Sequence, residues 1–176
     1  MNQKNIRMLN QIIEDFPQFK ENSLLYSEIA SALDCKLSEA KKYAATHCNM
    51  LSMWAIFRAS ERYNKSYSEY FSTCLKENIC TVKGYINDKI KMLEVLGIES
   101  SLETFREYED ILNPSARFNE NKFYQVKIKA NTSGDHFMAC YIQENKLYLS
   151  DLSYRGIGVI ATDFITEKNF QKIAEV

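Results

Sequence analysis

A thiol, an imidazole and a carboxylate are the materials of nucleophilic acyl transfer, and this chain of 176 residues carries them in that order as Cys48, His136 and Asp151. In such chemistry a thiolate attacks an acyl carbon, the imidazole takes and returns the proton, and the carboxylate fixes the imidazole tautomer. The chain has five cysteines (Cys35, Cys48, Cys74, Cys80 and Cys140) and two histidines, His47 and His136. The cysteines are irregularly spaced with no CxxC pair, so no zinc site is expected. In a reducing compartment most of the five read as small buried hydrophobes. No metal or organic cofactor is implied.

The element that must present Cys48 is a helix. From Met50 to Phe57 almost every side chain is apolar, and a helix apolar all round is a buried one. Two segmentations are open. If Ser38 caps one long helix, the stripe Leu37, Ala40, Ala44, Cys48, Leu51 and Ala55 is continuous and Cys48 sits in its middle. If Thr46 caps a fresh helix, with a break between Tyr43 and Cys48, the thiol lies in the first turn. It then sits in the positive end of the helix dipole, which favours thiolate. A break between Tyr43 and Cys48 is expected. His47 is not expected to be the base, because adjacent helix residues point about 100° apart.

The element that must present His136 and Asp151 is a hairpin. The apolar period changes from helical to alternating at Phe123–Ala130, where Val126, Ile128 and Ala130 alternate with Gln125, Lys127 and Lys129 as in a half-buried strand. Asn131-Thr132-Ser133-Gly134 reads as a turn, His136–Gln143 as a second strand and Lys146–Asp151 as a third. If Glu144-Asn145 is a two-residue turn, Asp151 faces Met138 and lies diagonal to His136, about 7–8 Å away between backbones. A three-residue turn would send Asp151 to the other face. Cys140 alternates with His136 and Met138 and should point the same way, deeper in the core. The plainer roles are that His136 caps a strand and that Asp151 makes an Asx-turn before Leu152-Ser153.

Around these elements the pattern predicts helices over 3–16, closed by Pro17, and from a Ser23 cap through Leu33. Further helices are predicted over 66–77 and from Ile86 to Leu96. The last has Ile86, Ile90, Leu93 and Leu96 in register and Gly97 just past its end. Residues 99–120 read as a connector with some helix, Val159–Phe164 as a fourth strand and 166–175 as a short terminal helix. Helices followed by an antiparallel sheet make an α+β protein. The expected layout is one domain over 1–176: a helical part over 1–45, a helical lobe over 46–115 and the sheet over 120–165.

Composition narrows the partners. The formal net charge is −1 with no basic block, so no general attraction to nucleic acid is expected. No segment approaches 18 uncharged apolar residues, and residues 1–20 lack the apolar core of a signal peptide. The expected setting is the cytoplasm, with no membrane partner.

With these blocks in view, His47-Cys48-Asn49-Met50-Leu51-Ser52-Met53-Trp54 resembles the nucleophile helix of papain-like peptidases of the bacteriocin-processing and related small bacterial types. Gly134-Asp135-His136-Phe137-Met138-Ala139-Cys140-Tyr141, followed by Leu147-Tyr148-Leu149-Ser150-Asp151, resembles their Gly-His-Phe-Val strand and the Asp that ends the next one. The two blocks cover about a seventh of the chain, in the family's order. In overall character, without a diagnostic motif, the chain also resembles a plasmid-borne Borrelia family of unknown function. The papain-like resemblance implies that fold, with a buried central helix, and implies Cys48 as nucleophile, His136 as base and Asp151 as orienting group. It also implies a peptide or protein substrate cleaved at a peptide or isopeptide amide. Two departures stand out: Leu152 follows the Asp where the family often has Pro, and no Gln precedes Cys48 to serve as an oxyanion donor. Losing one such donor commonly costs about 100-fold or more in rate. Replacement candidates are Gln11, Gln18 and Asn49.

Other classes stay open beside the hydrolase. One is a catalytically inactive papain-like binding domain. Another is a helix-turn-helix DNA-binding protein, since Leu25–Leu33 and Leu37–Tyr43 form two short amphipathic helices, although the second offers only Lys36, Lys41 and Lys42 to phosphates and no Arg. A third is an interaction module whose surface is lined by Tyr63, Tyr67, Tyr70, Tyr108, Tyr141, Tyr148 and Tyr154.

Overall fold

A computed structural model describes residues 3–105, 107–113, 118–130, 134–153 and 165–176. The fold is α+β. Six helices come first: α1 (Gln3–Asp15), α2 (Leu24–Leu33), α3 (Leu37–Ala44), α4 (Cys48–Ala59), α5 (Tyr67–Lys76) and α6 (Lys89–Leu96). Strand β1 (Glu103–Phe105) and the short helix α7 (Tyr108–Leu112) lead into β2 (Phe123–Ala130), β3 (Gly134–Gln143), β4 (Lys146–Ser150) and β5 (Phe170–Glu175). The sheet is antiparallel with strand order β1-β5-β2-β3-β4.

The helical breaks follow local chemistry. Ser23 caps α2 by accepting from the Leu25 amide, and Ser66 with Glu69 closes a capping box at the head of α5, satisfying amides that no helical carbonyl can reach. The chain does break between α3 and α4, but Thr46 is not the cap. Its hydroxyl donates to the carbonyls of Tyr43 and Lys83, and His47 occupies the cap position without a side-chain capping bond. Helix α6 starts three residues later than Ile86, at an Asp88 cap that accepts from Lys91 N. Ile90 is consequently 65% exposed instead of lining the core. Gly97 ends α6 in the left-handed conformation, as its type requires.

The sheet separates two apolar clusters. On one face Phe123, Ala139 and Tyr141 pack with α1, α2, α4 and α5; every residue of α4 from Met50 to Phe57 is buried there. On the other face Tyr124, Val126, Met138, Cys140, Leu149 and Ile173 pack with Ile111 and Phe118. Covering both faces overturns the half-buried reading of β2: Gln125 is 3% exposed and faces α4. Cys140 lies in the second cluster, away from α4. Tyr63, Tyr67, Tyr70 and Tyr141 are core residues, so they form no binding surface.

Segment 170–175 is a strand, not a helix. It fills the gap between β1 and β2, where pairing on two edges outweighs weak local preference. Strand β1 falls within the predicted connector. The expected strand Val159–Phe164, the Asn131–Ser133 turn residues and Tyr154 lie outside the described residues. Among the described residues no helix is long and apolar enough to cross a membrane.

Candidate active site

The position of Cys48 follows from the break before α4. It is the first residue of that helix, half-buried and not in a disulfide. Amides in a first helical turn have no helical acceptor, and their partial positive charge favours an anion at this end. Beneath Cys48 the chain is pinned by His47, which is fully buried. Since a carbonyl can only accept, His47 Nε2–H donates to Val82 O (3.0 Å), and Nδ1 accepts from the Tyr67 hydroxyl (2.7 Å). Burial lowers the His47 imidazole to about 4, so it is a neutral structural residue and not the base.

His136 and Asp151 come together as the two-residue turn requires. Glu144 and Asn145 both adopt positive φ, the hairpin conformation their position demands. The pairs Gln143↔Lys146 and Ala139↔Ser150 set the register. That register carries Asp151 just past the end of β4, opposite Met138. His136 Nε2 then lies 2.8 Å from Asp151 Oδ1. The carboxylate side chain is 1% exposed and the imidazole 15%.

The orienting and structural roles of Asp151 coexist. Its Oδ1 accepts from the Ser153 amide (2.9 Å) and the Ser153 hydroxyl (2.6 Å) as well as from His136. The Asx-turn therefore locks the carboxylate that holds the ring. Ser153 Oγ also approaches His136 Nε2 at 3.2 Å.

Burial pulls the His136 imidazole down, but the hydrogen bond to Asp151 and the influence of neighbouring Cys48, with the charges of both, outweigh it and raise the ring to about 10. At neutral pH it is an imidazolium that donates Nε2–H to Asp151, with Nδ1–H left over as a second donor. All three residues singled out in the sequence thus meet at one place. Such an arrangement can pair a sulfur nucleophile with a proton donor held in fixed orientation.

Two of the three replacement oxyanion donors are otherwise engaged. Gln11 Nε2 donates to Asp15 (3.0 Å) and Gln18 Nε2 donates to Ala44 O (2.9 Å). The Asn49 side-chain oxygen accepts from Gln125 Nε2 (3.0 Å).

Two residues not singled out in the sequence border the site. Gln125 Nε2 donates to Ser52 Oγ (2.7 Å) as well as to Asn49, tying β2 to the first turns of α4. Lys89, from the first residue of α6, donates to Gln125 Oε1. Burial, then Lys172 and Lys127, lowers the Lys89 ammonium to about 7 against a smaller opposing effect of Cys48. Neither residue belongs to a motif; only the Asp88 cap hints that Lys89 opens a helix. Among the described residues no three His, Cys, Asp or Glu side chains converge to hold a metal ion.

Compared with the models of known protein families, with curated proteins and with solved structures, the chain matches none.

Proposed function

We propose that this chain is a papain-like cysteine peptidase or acyl-transfer hydrolase acting on a peptide or isopeptide amide. The observation that carries the reading is His136 held between Asp151, at 2.8 Å, and Cys48. A buried helix headed by the cysteine, packed on an antiparallel sheet that brings the imidazole and carboxylate, supports the papain-like comparison.

In this mechanism Cys48 Sγ adds to the amide carbonyl carbon, and the oxyanion that forms is met by the Cys48 backbone N–H at the head of α4. His136 Nδ1–H gives its proton to the amide nitrogen, the C–N bond breaks and the amine leaves, with the acyl group on sulfur as a thioester. The neutral imidazole then takes a proton from water as its oxygen attacks the thioester. The carbon–sulfur bond breaks, releasing the acid and restoring the ion pair. Asp151 stays ionised and keeps the ring aligned. The same proposal sets the chain to work in the cytoplasm, where thiols stay reduced.

Alkylation of Cys48 by iodoacetamide, followed by peptide mass mapping in wild type and His136→Ala, tests the pairing. Fast reaction persisting at about pH 6 in wild type, and slowed by removal of His136, is expected of a charged Cys–His pair. Equal rates in both proteins would remove the basis for catalysis and leave a papain-like scaffold kept for binding.

A further inference from the structure

The face of the sheet that carries Gln125 and Ala139 ends in a basic row. In the strand register Lys172 of β5 is paired with Lys127 of β2, and Lys127 with Phe137 of β3. Opposed residues in a sheet share a face, so these three side chains stand in line. The row sits where β5 changes register: Ile128 pairs with Phe170 and Lys127 with Lys172, so Gln171 is an extra residue. A bulge of this kind re-aims side chains.

Lys89 closes the row from above. Its ammonium lies 4.8 Å from the centroid of the Phe137 ring, and that of Lys127 lies 5.8 Å from it. Through Gln125, Lys89 is tied to Asn49, the residue after Cys48. Phe137 itself follows His136 in sequence. Asp135 meets the row at Lys127 (2.8 Å), and its side chain is 44% exposed. Asp135 answers Lys127, whereas the buried Lys89 ammonium donates to the uncharged side chain of Gln125. Burial first, then the charges of Lys172 and Lys127, brings Lys89 to about 7. An arriving anion relieves that repulsion.

We propose that Lys89 and Lys127 form an anion-accepting subsite beside Cys48, and that the acyl compound attacked there carries a carboxylate close to the reacting carbonyl. The proposal rests on Cys48 and His136 as the reacting pair. It adds the substrate class: peptides or isopeptides with an acidic side chain, or a free α-carboxylate, next to the bond.

The test uses two alkylating agents that differ in charge. Iodoacetate and iodoacetamide are applied to the full chain at about pH 6, and the ratio of their rate constants at Cys48 is divided by the same ratio for free cysteine. The His136 imidazolium also attracts iodoacetate, so the part that belongs to the subsite is the part lost on changing the lysines. Lys89→Gln and, separately, Lys127→Gln should each lower the ratio about fivefold, Lys89→Arg should keep it, and added salt should lower it in wild type. Lys127 is half-buried on the sheet, so its variant keeps the test alive should Lys89→Gln fail to fold.

An unchanged ratio in folded Lys variants, with iodoacetamide still dependent on His136, overturns the subsite and leaves the Cys–His pair standing. A wild-type Cys48 inert to both agents overturns both proposals. Peptidyl chloromethyl ketones ending in Asp or Asn identify the source of the carboxylate. Faster inactivation by the Asp reagent, lost in the Lys variants, assigns it to a side chain on the acyl side. Equal inactivation with the iodoacetate preference intact assigns it to an α-carboxylate on the leaving side.

Discussion

His136 Nε2 donates to Asp151 Oδ1 at 2.8 Å across a hairpin whose turn is only Glu144-Asn145. The bond is geometrically demanding: one residue more in the turn would place the carboxylate on the opposite face of the sheet. Its energetic signature is the His136 imidazole. Burial alone would push that ring down, yet Asp151 and Cys48 hold it at about 10.

Asp151→Asn should therefore return His136 toward or below the ordinary imidazole value of about 6.5, because burial is then opposed by less charge. Imidazole NMR titration of the single variant reads this directly. A ring still titrating near 10 would mean that Asp151 does not hold the proton. The same variant should alkylate more slowly at Cys48 near neutral pH, by about tenfold.

Stability between pH 7 and 10 should be nearly flat in wild type because two groups oppose each other. His136 titrates at about 10 in the folded chain against 6.5 for an ordinary imidazole. Its contribution is thus full below about pH 6.5 and is lost as pH rises through 10. Lys89 titrates at about 7 in the folded chain against 10.5 ordinarily. Between those values the unfolded chain holds the extra proton, so the Lys89 contribution grows with pH. Urea unfolding at several pH values should show stability rising with pH in His136→Ala and falling in Lys89→Met. Parallel profiles in the two variants would contradict both assignments.

Acid should destabilise the fold through His47. Burial holds its folded value at about 4 against 6.5, so the unfolded chain takes up the proton first. Stability present above pH 6.5 is lost as pH falls toward 4, by about 3 kcal/mol over that window. His47→Gln should flatten this part of the profile. Tyr67→Phe, which removes the donor to Nδ1, should cost about 1 kcal/mol at neutral pH while keeping the slope. A slope that survives His47→Gln unchanged would assign the acid sensitivity elsewhere.

Gly84→Ala should be costly. Gly84 has φ +78°, and a Cβ there would come within 2.8 Å of the His47 ring and 2.9 Å of its Cα. Strain and overlap together should cost about 2–4 kcal/mol, seen as a lowered urea midpoint. Because His47 immediately precedes Cys48, the loss should extend to alkylation at Cys48. A midpoint within error of wild type would show that the loop yields freely and does not pin the head of α4.

What could be read from the chain alone was whatever nearest neighbours control. The Met50–Phe57 run is buried because it offers water no face. The pair Glu144-Asn145 makes a turn whose length, with strict alternation, dictates that Asp151 approaches His136. Ser23 marks a helix start through its hydroxyl and Gly97 a helix end through its tolerance of positive φ. What only the tertiary structure decided depends on groups far apart in sequence. Residues 170–175 became a strand because β1 and β2 offer edges on both sides. Gln125 looked like the outer face of a half-buried strand, yet it is buried because α4 covers that face and supplies Asn49 and Ser52 as partners. Lys89 reaches the site because α6 begins at Asp88 and the sheet places Phe137 and Gln125 beneath its ammonium. Local periodicity encodes which face of an element is apolar. It does not encode which distant element will cover that face, and the charges around Cys48 are set by that covering.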